Sequence, residues 1–214
     1  MINLLTFLFL TAALLMLAGK GTKNSITLLA LQSLSLSLLA FYLAFSGDII
    51  NWHMLIVGIL TLLIKVITLP WVFFRLVARV NIGREVPVAL GLVSSVIVGF
   101  LVVGIIYSYV VPDLMLKGVK GDGHLLPVAL SSILLGCFYM VSRCSILSQL
   151  IGIVVIENGL FLSALALTGG MPLFIELGIF FDVLVGALVM GAITYRISDR
   201  FQSLDTNRLT RLKG

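Results

Sequence analysis

Apolar residues occur in seven long runs along this chain, and short polar segments separate each run from the next. The runs extend from Ile2 to Leu17, Asn24 to Phe45, His53 to Phe74, Val86 to Val110, Leu125 to Val141, Ser145 to Leu167 and Pro172 to Tyr195. A helix needs about 20 apolar residues to cross the hydrocarbon core of a bilayer. None of the runs alternates with a period of two, which excludes a transmembrane barrel. The pattern predicts an all-α, polytopic membrane helical bundle of about seven transmembrane helices.

Composition indicates the same class of protein. Of the 214 residues, 60% are hydrophobic and 11% are charged, and the mean hydropathy is +1.21. These values exclude an ordinary soluble domain. No basic residue precedes the first run, so we interpret it as a helix and not as a signal peptide. Because no long linker interrupts the chain, we predict one transmembrane domain over residues 1–197 and a tail over residues 198–214.

Positive charges predict how the bundle is oriented. Eleven of the fourteen Lys and Arg residues follow the first, third, fifth and seventh runs: Lys20, Lys23, Arg75, Arg79, Arg84, Arg143, Arg196, Arg200, Arg208, Arg211 and Lys213. The positive-inside rule makes this side cytoplasmic. We therefore predict a protein of the cell's inner membrane with its N-terminus outside and its C-terminus in the cytoplasm. The net charge of +5 therefore reports topology and contact with membrane lipid, and no nucleic-acid partner is expected.

Three ionisable residues lie near the middle of apolar runs: Lys65, Glu157 and Asp182. A charge at the bilayer centre costs about 2.5 to 3.5 kcal/mol on insertion scales, so each one needs a partner or a functional role. At about 1.5 Å per residue, Glu157 lies about 18 Å from the inner start of its span and Asp182 about 15 Å from the outer start of its own, so both are at similar depth. Burial disfavours the charged form of such groups, and a nearby opposite charge favours it. A lysine and two carboxyls within reach of one another would form a switchable charge set.

Small and polar residues surround these positions. Gly152 and Gly159 lie seven residues apart, hence on one helix face, which predicts close helix packing near Glu157. Further side chains able to hold water or add polarity are Asn158, Gln149 and Ser148 in the sixth run, and Gln32, Ser33, Ser35 and Ser37 in the second. The polar groups of the two runs are therefore candidates to surround the charged residues.

A proline lies close to Lys65. Pro70 has no backbone N–H, so the carbonyl of Val66 loses its helical donor. We predict a local break in the helix beside Lys65, where water or a polar side chain could enter.

Glu176 lies six residues before Asp182, nearer the predicted outer end of its helix. Two interpretations of Glu176 stay open, an interfacial carboxylate and a member of a proton relay. A structural role, in which all these polar groups hold helices together, is the alternative for the whole set.

Motifs for metals, cofactors and catalysis are missing from the sequence. Cys137 and Cys144 have no C-x-x-C spacing, and His53 and His124 fall at helix ends without further haem or di-iron ligands. Glycine-rich phosphate loops and nucleophile motifs are also missing. We expect no catalytic residue, metal or cofactor in this chain.

Five segments spread over nearly the whole chain carry a family resemblance: QSL at Gln32, LIKVITLPW around Lys65, RCSILSQLIGIVVIENGLFLSALAL, FIELGIFFDVLVGALVMG and LDTNRLTRLKG. They resemble the hydrogenase-4 component E family, a membrane subunit of formate-hydrogenlyase-type complexes. Residues 125–197 are also similar to subunit K of NADH-quinone oxidoreductase and to the C subunit of Mrp-type antiporters. Asp182 falls on one membrane glutamate of subunit K, and the other falls on Val154, about one turn from Glu157.

The resemblance implies a non-catalytic membrane subunit of a [NiFe]-hydrogenase complex related to respiratory complex I. Nickel-iron and iron-sulfur centres would lie on partner subunits, which would include antiporter-like membrane subunits and hydrogenase subunits. The expected proton-relay residues are Glu157, Asp182, Lys65 and Glu176. Two alternatives stay open, a stand-alone cation transporter and a purely structural membrane anchor.

Overall fold

A computed structural model describes residues 1–19, 21–46, 51–80, 91–116, 124–143 and 145–168, together with Gly186 and Gly191. Glu176, Asp182 and the predicted tail over residues 198–214 lie outside the described residues. The predicted seventh span, apart from the two glycines, lies outside them as well. The described residues therefore belong mainly to the first six predicted spans.

The described part of the chain is helical and contains no β-strand. The helices are α1 (Ile2–Ala18), α2 (Thr22–Phe45), α3 (Trp52–Thr61), α4 (Leu69–Val80), α5 (Leu92–Ile105), α6 (Val111–Leu116), α7 (Leu125–Ser142) and α8 (Ile146–Thr168). Two π-helical segments, Leu62–Thr68 and Ile106–Val110, join α3 to α4 and α5 to α6. The described part of the chain thus forms four single helices and two longer helices with a π-helical insertion.

Within the described ranges, five helical stretches are long and apolar enough to cross a membrane. They are Thr22–Phe45, Trp52–Ala78, Val93–Leu114, Leu125–Ser142 and Leu147–Leu167. Helix α1 is apolar but has 17 residues, at the short end of the range for a membrane span. Five of the seven predicted spans are therefore confirmed as candidate membrane helices.

Each π-helical segment ends two residues before a proline. Leu69, which precedes Pro70, donates its N–H to the carbonyl of Ile64, five residues earlier. Val111, which precedes Pro112, donates in the same way to the carbonyl of Ile106. Because a proline cannot donate to the carbonyl four residues before it, the helix accommodates the defect with wider turns. The predicted break beside Lys65 is confirmed in this form. The predicted end of the fourth span at Val110 is wrong, because the helix continues past Pro112 to Leu116.

The other described helices pack mainly against α2 and α7. Helix α2 contacts α1, α3, α4, α8 and the first π-helical segment, while α7 packs along α8 and also contacts α1 and α5. The backbones of α7 and α8 approach closely because glycines lie between them. A Cβ atom on Gly159 would lie 3.0 Å from the carbonyl oxygen of Ala129, and one on Gly136 would lie 3.0 Å from that of Gly152. The close packing predicted from Gly152 and Gly159 is confirmed, with α7 as the partner.

Buried apolar side chains form two clusters with a polar layer between them. One cluster includes Phe9, Leu36 and Phe161, and the other includes Met16, Leu29 and Phe73. In each helix that contributes to the layer, the polar residues lie between members of the two clusters: between Leu29 and Leu36 in α2, Val57 and Leu69 in the helix of Lys65, Ala129 and Leu135 in α7, and Val155 and Phe161 in α8. The candidate site is this central layer.

Candidate functional site in the central polar layer

Lys65 and Glu157 form an ion pair at the centre of the bundle. The Lys65 Nζ atom lies 2.8 Å from Glu157 Oε1, and their side chains are only 2% and 5% exposed. Lys65 is 13 residues from each end of the span Trp52–Ala78, and Glu157 is 10 residues from each end of Leu147–Leu167. Two opposite charges at the same depth offset part of each other's desolvation cost. The structure thus brings together two of the four predicted relay residues.

Asn158 is the second partner of Lys65. Lys65 Nζ donates a hydrogen bond to Asn158 Oδ1 at 3.0 Å, so two consecutive residues of α8 hold the ammonium group. Asn158 Nδ2 in turn donates to Gln32 Oε1 at 3.2 Å and to Ser33 Oγ at 3.1 Å. Asn158 therefore connects the charged pair to the middle of α2.

The hydrogen bonds continue from α2 to α7 and return to α8. Gln32 Nε2 donates to Ser132 Oγ at 3.0 Å, and Ser132 Oγ donates to the carbonyl oxygen of Val155 at 3.4 Å. Gln32, Ser132 and Asn158 are fully buried. Since buried amides and hydroxyls are costly without partners, this chain of contacts fixes the relative depth of α2, α7 and α8.

One oxygen of the Glu157 carboxyl group is not used by this network. Glu157 Oε2 is buried and has no hydrogen-bond partner among the residues that the structure describes. The ring of Phe161, one turn further along α8, has its centroid 6.0 Å from Lys65 Nζ. The pair therefore combines a polar side, formed by Asn158, with an aromatic side, and Oε2 is the atom on which a proton could bind.

Sequence reasoning identified the charges but not the side chains that connect them. Asn158 and Gln32 were expected only to add polarity or hold water, and Ser132 was not singled out. Gln149, also expected near Glu157, instead donates to the carbonyls of Met140 at 2.7 Å and Arg143 at 2.9 Å, where it caps the end of α7. A signal for Ser132 exists in retrospect, because it lies near the centre of an apolar span.

Arg143 is a second buried cation, at the end of the bundle where α7 passes into α8. The sequence marked it only as a sign of the cytoplasmic side, but it is 3% exposed. Its Nη2 donates to the last carbonyls of α1, at 3.4 Å to Met16, 3.2 Å to Leu17 and 2.6 Å to Gly19. A cation at a helix C-terminus is stabilised by the carbonyl dipoles there. Arg143 therefore joins α1 to the pair α7 and α8.

Comparisons with known proteins agree with the sequence resemblance. No protein-family model matches the chain, and no solved structure matches it. An uncharacterized protein of Mycobacterium tuberculosis is 31% identical over 159 residues, which cover 73% of this chain and 71% of the relative. Hydrogenase-4 component E of Escherichia coli K12 and that of Shigella flexneri are each 29% identical over 215 residues, covering 100% of this chain and 97% of the relative. The similarity to hydrogenase-4 component E extends over the full length of this chain, and it supports assignment of the chain to that family.

Proposed function

We propose that this protein is a non-catalytic membrane subunit of a complex-I-related [NiFe]-hydrogenase or formate-hydrogenlyase-type complex. Its role is to contribute to the translocation of protons or other cations. The full-length similarity to a hydrogenase-4 component and the five apolar helices support membership of such a complex. Redox chemistry belongs to partner subunits with nickel-iron and iron-sulfur centres, and antiporter-like subunits complete the membrane part.

The ion pair between Lys65 and Glu157 is the observation that carries this proposal. A lysine and a glutamate can each gain or lose a proton, and both lie at the centre of their spans. Helices that need only polar contacts for packing can use serine or asparagine, which cost much less in a membrane than a charge. Buried ionisable residues within a membrane are by default candidates for proton or ion pathways. We assign proton transfer to Oε2 of Glu157, which has no hydrogen-bond partner among the described residues.

The proposal includes the orientation and the remaining relay residues. Seven spans place the N-terminus outside and the C-terminus in the cytoplasm of a cell with an inner membrane, as the distribution of Lys and Arg favours. Asp182 and Glu176 continue the relay from Glu157 toward the outer side. Both roles stay predictions, because the seventh span lies outside the described residues.

The substitution Glu157→Gln tests the function. Glutamine keeps the shape and an acceptor oxygen but cannot titrate, so a packing role survives and a relay role does not. In native membrane vesicles, the complex should assemble and should oxidise hydrogen with a soluble artificial dye at a near-normal rate. Ion translocation coupled to turnover should fall strongly, and Asp182→Asn should have the same effect. The double substitution should be little worse than either single one if both residues serve one path.

The matched control is Ser163→Ala, which removes a hydrogen bond within the same helix, from Ser163 Oγ to the Gly159 carbonyl. It should leave translocation unchanged. Wild-type translocation by an assembled Glu157→Gln complex would overturn the relay and favour a structural anchor. Ion flux by the purified chain alone in liposomes would favour a stand-alone transporter.

A further inference from the structure

Both polar atoms of the Asn158 amide group make hydrogen bonds, and both of its N–H donors are used. Its oxygen accepts from Lys65, and its nitrogen donates to Gln32 and to Ser33, at 3.0, 3.2 and 3.1 Å. Asn158 is fully buried, so these contacts are not shared with solvent. Asn158 directly follows Glu157 in α8, so the backbones of these two residues move together.

The hydrogen bonds of the network all run in one direction. An ammonium group has donors and no acceptor, so Asn158 must turn its oxygen toward Lys65. Its NH2 group then faces Gln32, which must present its own oxygen and turn its NH2 group toward Ser132. The series ends at the carbonyl oxygen of Val155, which only accepts. Successive donation in one direction increases the negative partial charge on the first acceptor, Asn158 Oδ1.

We propose that Asn158 is a positioning residue that holds the Lys65 ammonium in place while Glu157 takes up and releases a proton. The inference rests on the proposed function, since it concerns how the pair works during translocation. When a translocated proton binds to Glu157 Oε2, the carboxylate becomes a neutral carboxylic acid and its attraction for the ammonium is lost. Lys65 keeps its proton and its position because the neutral oxygen of Asn158 remains 3.0 Å away.

An uncharged partner is essential to this arrangement. A second carboxylate at position 158 would also hold Lys65, but its negative charge would compete with Glu157 for the ammonium, and it could itself take up the translocated proton. Charge-assisted hydrogen bonds are roughly twice as strong as neutral ones. Between the two partners of Lys65 on α8, the asparagine therefore leaves Glu157 as the one whose protonation changes the charge of the site.

The substitution Asn158→Asp separates positioning from packing. Aspartate accepts from Lys65, and the side chains of Gln32 and Ser33 can turn to donate to it, so the polar contacts between helices are kept. A purely structural role therefore predicts normal translocation. We expect a complex that assembles and oxidises hydrogen with dye, but whose coupled translocation falls by about tenfold, the change that about 1.4 kcal/mol produces.

Asn158→Ser is the second variant, because a serine hydroxyl is too short to replace the contact with Lys65 and adds no charge. It should also reduce translocation by about tenfold or more, and it decides the question if the aspartate variant does not assemble. Ser37→Ala is the control, since Ser37 is a buried serine of α2 that donates to the Gly58 carbonyl at 2.9 Å, outside the network. It should translocate at the wild-type rate.

The results distinguish this inference from the proposed function. If Glu157→Gln abolishes translocation while either Asn158 variant stays within about twofold of wild type, the positioning role is wrong and the relay stands. If Glu157→Gln itself translocates normally, the relay is wrong, and the role of Asn158 is refuted with it.

Discussion

Replacing Lys65 with methionine should destabilise the folded chain more than replacing Glu157 with glutamine, although each change removes one half of the same ion pair. Methionine retains much of the apolar stem of lysine but not its charge. The reason for the difference is the number of partners left behind. Lys65 has Asn158 Oδ1 at 3.0 Å in addition to Glu157. The Glu157 carboxyl group has no second hydrogen-bond partner among the described residues.

The magnitudes follow from these contacts. Removing one partner of a buried ion pair typically costs about 3 to 5 kcal/mol, and Lys65→Met should lie in this range because it leaves a buried carboxylate uncompensated. In Glu157→Gln the ammonium keeps two neutral acceptors, so the loss is the difference between a charged and a neutral hydrogen bond, about 1 to 2 kcal/mol. The two variants should therefore differ in free energy of unfolding by about 1 to 4 kcal/mol.

The assay is reversible unfolding of the chain in mixed micelles, with both single variants and the double variant. Removing both charges together should restore much of the stability, so the single effects should not add. Ile67→Met is the control, because Ile67 belongs to the same π-helical segment but is 54% exposed. It should change the free energy of unfolding by no more than about 0.5 kcal/mol. Equal losses in the two single variants, or strict additivity, would refute the reasoning.

Two further predictions concern packing and topology. Gly159→Ala should destabilise the chain by about 1 to 3 kcal/mol, because the added Cβ would lie 2.7 Å from Ile133 Cγ1. The control in the same unfolding assay is Gly104→Ala, because a Cβ on Gly104 would meet no atom within 4 Å. Equal losses of stability in the two variants would contradict the packing argument. Reporter fusions should read cytoplasmic after Lys23, Arg79 and Gly214, and external at Asp48 and Gly121. A cytoplasmic reading at Gly121 would contradict the seven-span orientation.

Lys65 and Glu157 could be predicted from the sequence because a charge is costly in lipid and therefore stands out in an apolar run. The break before Pro70 could be predicted for a similar reason, since a proline removes a backbone donor wherever it lies in a helix. Its precise form, a π-helical segment, depends on the packing of the whole helix. Asp182 and Glu176 stay predictions, because they lie outside the described residues.

The connections between helices could not be predicted. Spans such as α7 and α8 have few polar residues and no continuous polar stripe, so the sequence does not show which face of a helix meets which neighbour. The pairing of Asn158 with Gln32 and that of Gln32 with Ser132 depend on the depth and rotation of three helices. Arg143 was misleading for another reason, because an arginine at a helix end commonly extends to the interface, whereas here the carbonyls of α1 surround it.

The contact of Arg143 with α1 has a consequence for how the protein is made. The carbonyls of Met16, Leu17 and Gly19 are synthesised 124 to 127 residues before the guanidinium group that binds them. At translation rates of about 5 to 20 residues per second, α1 is synthesised roughly 6 to 25 seconds before this partner exists. The C-terminal end of α1 therefore reaches its final contacts late in biosynthesis, after α7 has been made. Nascent chains that end before Arg143 should leave this end of α1 accessible to chaperones and proteases.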